Sequence, residues 1–459
     1  MMQTNYTSLF RKFLFIVLSA TTGTALAQSE FGNWDETQLT ENEISHRHEN
    51  AFVEVNGKLY LLGGRGPQPV EIYDPETDTW TTGATGYQDI SASQIHHFQA
   101  VAVGSKIYAI CGFDIVDGAE VPTPNVYIYD TETDTWSDGP EIPAHRRRGS
   151  AGAVVYNGKI YIVAGIQNGH IDGHVEWFDE FDPQTGEWRE LPDAPRARDH
   201  FHAAIAGGKL VAAGGRLSKQ DDPEPGGVFI FTIPEVDIYD FSTDEWTTTE
   251  NPIITDRAGT ATVTVGNEIV VLGGEGPHQE SAPDGGPYAH NEVEAFHIES
   301  EEWRELPSLN TGRHGTQAAV YNDKVYIVAG SSRRGGNVDS ENEALTLEVI
   351  EFSMTEDLIE PEPDEDEDEG EVTAIQANTP DSPLNIFPNP AVDNINIELS
   401  GGQGFTVEVY SPDGRLESVS NHSGSTGNIN LSGLAKGMHY LKVIGNHGEI
   451  YEMYKIVKQ

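Results

Sequence analysis

The sequence predicts an all-β chain in which six small four-stranded sheets close into a ring, followed by a small β-sandwich. Three observations predict it. A phrase ending in tryptophan recurs: "IYDPETDTW" (72–80), "IYDTETDTW" (128–136), "EFDPQTGEW" (180–188), "IYDFSTDEW" (238–246) and "AFHIESEEW" (295–303). A second phrase, ending in glycine, occurs six times: "VNGKLYLLGG" (55–64), "VGSKIYAICG" (103–112), "YNGKIYIVAG" (156–165), "AGGKLVAAGG" (206–215), "VGNEIVVLGG" (265–274) and "YNDKVYIVAG" (321–330). The closing glycines, Gly64, Gly112, Gly165, Gly215, Gly274 and Gly330, stand 48 to 59 residues apart, which is the length of one sheet with its connections.

Each unit reads as four strands. In the first, "AFVEV" is strand A, and Asn56-Gly57 supplies the positive φ angles of a hairpin turn. "KLYLLGG" is strand B and "VEIYD" is strand C. Asp74 and Pro75 begin a second turn, and Trp80 opens strand D. Such a sheet cannot cover both of its faces alone. Packed radially with five others it can, and the result is a β-propeller. The sixth unit ends at "LEVIEFS" (347–353), a strand C with no tryptophan strand after it. The missing strand stands at the other end, in "FGNWDET" (31–37). Trp34, Trp80, Trp136, Trp188, Trp246 and Trp303 thus provide six outer strands for six blades. The N-terminal strand is expected to complete the last blade and lock the ring, which leaves no bare edge.

The rest of the chain reads as export apparatus and spacer. Residues 1–27 carry Arg11 and Lys12, the apolar run "FLFIVLSA" and the small-x-small site Ala25-Leu26-Ala27, the pattern of a cleaved signal peptide. The run is too short to span a bilayer, and no other membrane segment is expected. Residues 28–355 hold the propeller. Residues 356–383 hold twelve acids and no base, so self-repulsion should keep this linker extended. Its "DEDEDE" lacks the Gly-bent loop of a calcium site. Residues 384–459 carry strand-like runs, "INIEL", "FTVEVY", "HYLKVI" and "YEMYKIV", and read as a small β-sandwich. The net charge is −47, which argues against nucleic acid or an anionic membrane as partner. Cys111 is the one cysteine, so no intrachain disulfide forms, and it is expected to be buried and inert.

The glycine-ended strand B, the Tyr-Asp turn and the spaced tryptophans resemble the kelch repeat over residues 31–353. Departures occur at Cys111, Ala164 and Ala329, which replace the first glycine, and at Phe296-His297, which replace Tyr-Asp. The tail, with "PNP" at 388–390, Ser411-Pro412-Asp413-Gly414, "GMHYLKV" (437–443) and a terminal "KIVKQ", resembles the type A C-terminal sorting domain of the type IX secretion system in Bacteroidota. That resemblance implies a Gram-negative cell, the secretion machinery as partner of 384–459, and a cargo that is secreted or held on the outer cell surface.

Strands alternate in direction, so the A–B and C–D turns share one rim, and the B–C loops and D–A connections share the other. The first rim is monotonous. The second varies greatly, with B–C loops at 113–125, 216–234 and 274–290. Insertions gathered on one rim mark the expected recognition surface. One register at the start of strand A faces that rim: Arg47, Ile95, Arg148, Arg198, Arg257 and Arg313. His48, His96, Asp199 and His314 follow directly, with His97 and His200 one further on. These side chains are expected to ring the channel mouth. Two readings stay open for the arginines. Either each pairs with a strand C acid (Glu71, Asp179, Asp237 and Glu294 stand nine residues before a tryptophan, Tyr127 being the exception), or some grip an anionic ligand.

No HExxH motif and no carboxylate at a telling spacing accompanies His96, His97, His200 and His202, so no metal and no cofactor is expected. A copper-radical oxidase of the galactose oxidase type would need Cys111 cross-linked to a tyrosine, and Cys111 ends a core strand. No catalytic residue is assigned. The expected function is a non-catalytic exported protein that recognises an extracellular glycan or protein through Arg47, His96, His97, Arg148, Arg198, His200, Arg257 and Arg313. The alternative is a carbohydrate-active enzyme resembling the sialic acid mutarotases, with Arg198 or Arg257 paired to a loop acid, Glu224 or Glu275.

Overall fold

In a computed structural model, the described residues are 29–84, 90–222, 227–277, 288–335, 344–354, 384–387, 394–399, 404–410, 416–434, 437–445 and 450–458. The leader, the acidic linker, Glu224, the "PNP" stretch and residues 411–414 lie outside them. Among the described residues there is no α-helix, only one 3₁₀ turn at Ala144–Arg146.

Alternating apolar residues and positive-φ turns produce the predicted sheets. Blade 1 is Asn50–Val55, Lys58–Gly63, Glu71–Asp74 and Thr79–Thr82, paired antiparallel in that order. Asn56 and Gly57 take φ of 52° and 82°, as the hairpin between its first two strands requires. Blades 2 to 5 repeat the order. Their A strands are Ala100–Val103, Gly152–Tyr156, Ala203–Ala206 and Ala261–Val265. The A strand of each blade lies against the A strand of the next, and that of blade 6, Ala318–Tyr321, lies against that of blade 1. The ring is therefore closed at six.

Blade 6 is completed from the N-terminus. Ser29–Phe31 pairs with Phe352–Met354, and Asp35–Gln38 pairs with Thr346–Val349, both along the single strand Thr346–Met354. Between the two segments Trp34 is buried, and its Nε1 donates to the carbonyl of Pro307 at 2.8 Å.

Successive residues of a strand face opposite sides of its sheet, so each blade feeds two interfaces. In blade 1, Leu59 and Leu61 pack with Tyr326, Val328 and Leu347 of blade 6, whereas Tyr60 and Leu62 pack with Ile107, Ala109 and Tyr129 of blade 2. Six such apolar clusters lie between consecutive blades. The repeated phrase is the C–D hairpin. Tyr73 and Tyr239 donate their hydroxyls to Asp78 (2.8 Å) and Asp244 (2.9 Å), Tyr129 does the same to Asp134, and each ring packs on the tryptophan that follows.

The tail forms two sheets. One holds Leu384–Phe387, Asn394–Leu399 and Thr426–Asn430. The other holds Leu416–His422, Phe405–Tyr410, Gly437–Gly445 and Ile450–Lys458. Ile395, Ile397, Phe405, Val407, Leu441 and Ile456 are among the residues of their shared core.

Candidate functional site

The five arginines of the strand A register are buried, and each is bound to a carboxylate of its own blade. Arg47 meets Glu71 at 2.6 Å, Arg148 meets Asp179 at 2.8 Å, Arg198 meets Asp237 at 2.5 Å, Arg257 meets Glu294 at 2.7 Å and Arg313 meets Glu348 at 2.6 Å. Each also donates to strand B carbonyls, such as those of Gly63, Ala164, Gly214, Gly273 and Ala329. Blade 2 lacks the pair, having Ile95 and Tyr127, and both are buried in an apolar cluster instead. Where the arginine goes, the acid goes with it. This departs from the expectation that the arginines ring the mouth. They bolt strand A to strands B and C.

The reason is a backbone kink. The residues two positions further on, Glu49, His97, Ser150, His200, Gly259 and Gly315, all take φ between 53° and 65°. A left-handed residue breaks the alternation of a strand, so an arginine and its second neighbour no longer share a face. These six residues form the axial ring itself. His97 N donates to Glu49 O (3.1 Å), Ser150 to His97 (2.8 Å), His200 to Ser150 (3.2 Å), Gly259 to His200 (2.6 Å) and Gly315 to Gly259 (2.9 Å). Asn50 N closes the circuit on Gly315 O at 3.2 Å. The ring borders a small axial cavity, large enough for a water molecule, which His97, His200 and His202 also line.

On the variable rim a second layer sits over this ring. It comes from residues that directly follow the strand B glycines, Arg65, Arg216 and Glu275, and from two hairpins inserted as B–C loops. Those hairpins are Phe113–Val116 with Ala119–Pro122, and Ile166–Asn168 with Asp172–His174. They bring Glu120 and His170 to the axis. Arg65 binds Glu120 at 2.8 Å and His170 Nδ1 lies 2.7 Å from Glu120. His200 Nε2 lies 3.0 Å from His170 Nε2, and His200 Nδ1 lies 2.5 Å from Asp199. Arg216 meets Glu275 at 2.5 Å, and Glu275 lies 3.5 Å from His314. His97 packs edge-on against both His170 and His200.

The electrostatics follow from burial among charges of both signs. Burial would raise the carboxyls, yet all four stay below their ordinary range. Around Glu49 the opposing groups are His200, His314, His48 and Arg65. Around Glu120 they are His170 and Arg65, and around Glu275 they are His314 and Arg216. Asp199 is held at about 2 by His200, Arg216 and Ser218. Burial and Arg65 push His97 far below its usual range and His96 down to about 3, and burial with Arg216 lowers His200. Burial thus works against the charged forms of His96, His97 and His200, while the surrounding groups favour the charged forms of the carboxyls.

Of the residues expected at the site, the structure brings His96, His97 and His200 together at the axis and places the arginines behind them. Sequence reasoning missed Arg65, Glu120, His170 and Arg216. For Arg65 and Arg216 a signal existed, since both sit directly after a strand B glycine. For Glu120 and His170 none did, because they stand on insertions outside the repeat. Of the pairs considered for an enzyme, Arg198 and Arg257 are engaged elsewhere, and the guanidinium that meets Glu275 is Arg216.

Comparison with known proteins places these features. The kelch-repeats domain model of the KLHDC2/KLHL20/DRC7 type matches residues 24–215 and 97–330, and the secretion system C-terminal sorting domain matches residues 385–459. Kelch-like protein terF of Aspergillus terreus is 28% identical over 323 residues, covering 67% of this chain and 66% of that protein. The chain spans about half the length of several other curated kelch relatives. N-(sulfonatooxy)prop-2-enimidothioate sulfolyase of Thlaspi arvense is 24% identical over 307 residues, covering 61% of this chain and 84% of that protein. The solved structure of YjhT aligns with a TM-score of 0.54 at 15% identity, over 69% of this chain and 97% of that one, which supports the propeller fold. The sorting domain marks the protein for secretion or the outer cell surface in Bacteroidota, with the type IX machinery as its partner. Among the described residues no helix is long and apolar enough to cross a membrane. The chain belongs to the kelch-repeat family and carries a C-terminal sorting domain of the type IX secretion system.

Proposed function

We propose that this is a non-catalytic exported binding protein whose variable rim recognises an extracellular glycan or protein. One observation carries the reading. The large apolar side chains exposed on the propeller are Val116 (48%), Val121 (40%), Ile171 (45%), Ile254 (49%) and Tyr288 (39%), and all stand on B–C loops or a D–A connection. The opposite rim exposes none of this class among the described residues. Exposed apolar side chains and loop insertions gathered on the same rim support an interaction surface there. In this reading the mature chain begins after Ala27, and the acidic stretch 356–383 separates the propeller from the tail in sequence. His96, His97 and His200 form the floor of the site, with Arg47, Arg148, Arg198, Arg257 and Arg313 supporting it from within the blades.

The test is an array of glycans and cell-surface proteins probed with the secreted protein. Val121→Asp and Ile171→Asp should abolish capture, and Glu132→Lys and Lys106→Ser on the opposite rim should leave it intact. Equal loss from both rims would reject the reading.

A second reading is favoured by the buried Arg216–Glu275 pair beside His314 at the axis. A carboxylate and a guanidinium so placed could move a proton and hold an anion, as a sialic acid mutarotase-like enzyme needs, and the sulfolyase relative carries an enzyme's name. Accelerated anomer exchange of a free sugar, lost in Glu275→Gln, would establish it in place of the first.

A further inference from the structure

We propose that the axial mouth binds a divalent transition-metal ion, Zn²⁺ in the first instance, through His97, His170 and His200. The argument starts from proton positions. A carboxylate can only accept, so His170 donates its Nδ1 proton to Glu120 and His200 donates its Nδ1 proton to Asp199. In neutral rings this leaves both Nε2 atoms as lone pairs. Those two atoms nevertheless face each other at 3.0 Å. Two lone pairs at that distance repel, and only a cation between them, a proton or a metal, turns the contact attractive.

His97 completes the set. Its Nε2 faces the Arg65 guanidinium at 3.5 Å, which only donates, and its Nδ1 lies 2.5 Å from His96 Nδ1. The 2.5 Å contact with His96 needs one proton between the two rings, and with that proton on His97 Nδ1 the His97 Nε2 is a lone pair beside Arg65 and, at 3.6 Å, Glu49, while His96 Nε2 is buried with no hydrogen-bond partner. One ring nitrogen from each of His97, His170 and His200 lies within 4.8 Å of the other two. Nitrogens bound at about 2.0–2.1 Å to a tetrahedral ion stand roughly 3.3 Å apart, so small side-chain rotations suffice.

Two further features fit a metal better than a proton. Glu120 and Asp199 hold ligand imidazoles by Nδ1, the outer-shell arrangement that orients histidines toward metals. The cluster also sets the carboxylates Glu49, Glu120, Asp199 and Glu275 against the guanidiniums Arg65 and Arg216, so acidic groups outnumber basic ones beside the three imidazoles. Arg65, the nearest like charge, is itself neutralised by Glu120. Three imidazoles suit Zn²⁺, with Cu²⁺, Ni²⁺ and Fe²⁺ as competitors.

The test is calorimetric titration of the chelator-stripped secreted protein with Zn²⁺ alone. One ion per chain is expected, with a melting temperature that rises with free Zn²⁺. His170→Ala changes the turn of a surface hairpin and leaves the blade cores untouched. It should abolish the one-to-one binding, while Glu120→Gln should weaken it by about 10–100-fold. His145→Ala, far out on an exposed connection, should bind as the parent does. Circular dichroism verifies that each variant is folded. If the parent takes up no Zn²⁺, or if folded His170→Ala binds as tightly as the parent, the proposal is overturned and the two Nε2 atoms share a proton instead.

Discussion

Replacing Trp34 by alanine tests whether the N-terminal strand seals the ring. Trp34 is 7% exposed and packs in the cluster that holds Leu306, Leu309, Ala318 and Ile350, residues that lie some 270 or more positions away in the chain. Its indole N–H also donates to Pro307. Truncating a buried tryptophan costs about 3–5 kcal/mol, as lost transfer energy plus the cavity left behind. A ring of roughly 320 residues has an unfolding entropy near 0.7 kcal/mol per degree, at about 2.1 cal/mol/K per residue. The melting temperature of Trp34→Ala should therefore fall by about 4–8 °C in differential scanning calorimetry. Deleting residues 29–40 should do more. It strips the outer partner from the strand Thr346–Met354, which keeps only Lys324–Val328 on its inner side, and the bare edge should make the protein aggregate. A Trp34→Ala melting point within a degree of the parent would refute the seal.

Three other outcomes follow from the same geometry. Arg313→Met leaves Glu348 charged and buried, and should cost about 3–5 kcal/mol in denaturant unfolding, most of which the double change Arg313→Met, Glu348→Leu should restore. Burial pushes the Glu268 carboxyl up, but bonds from Arg304 and from the Ser29 amide outweigh it and hold the group below its ordinary 4.5. A depressed carboxylate stabilises the fold above its unfolded value, and that stability drains away as the pH falls below about 4.5. Melting curves should show this acid loss in the parent and a flatter profile in Glu268→Gln. Cys111 is buried with its thiol pushed up to about 11, so a maleimide should label it only after unfolding.

The ring was legible because a propeller writes its architecture into a repeat. Six glycine ends gave six B strands, and Trp34 at the wrong end of the chain gave the closure. Partner acids of four arginines could be counted from the tryptophans. The direction in which those arginines point could not, because it depends on the left-handed residue two places later. Glu49, His97, Ser150 and His200 adopt that conformation with no glycine to announce it. The histidine cluster was harder still. His97 and His200 belong to the repeat, but His170 and Glu120 arrive from hairpins inserted in two different blades, and their meeting is a fact of tertiary structure.

In the proposed function the variable rim around the axis does the recognising while the arginine register holds the blades together. Hydrogen–deuterium exchange of the secreted protein, with and without a ligand captured on the array, tests it most directly. Added protection is expected at 96–97, 113–122, 166–174 and 288–290, and none at the hairpin turns 56–57, 104–105 and 157–158. Protection confined to those turns would contradict it.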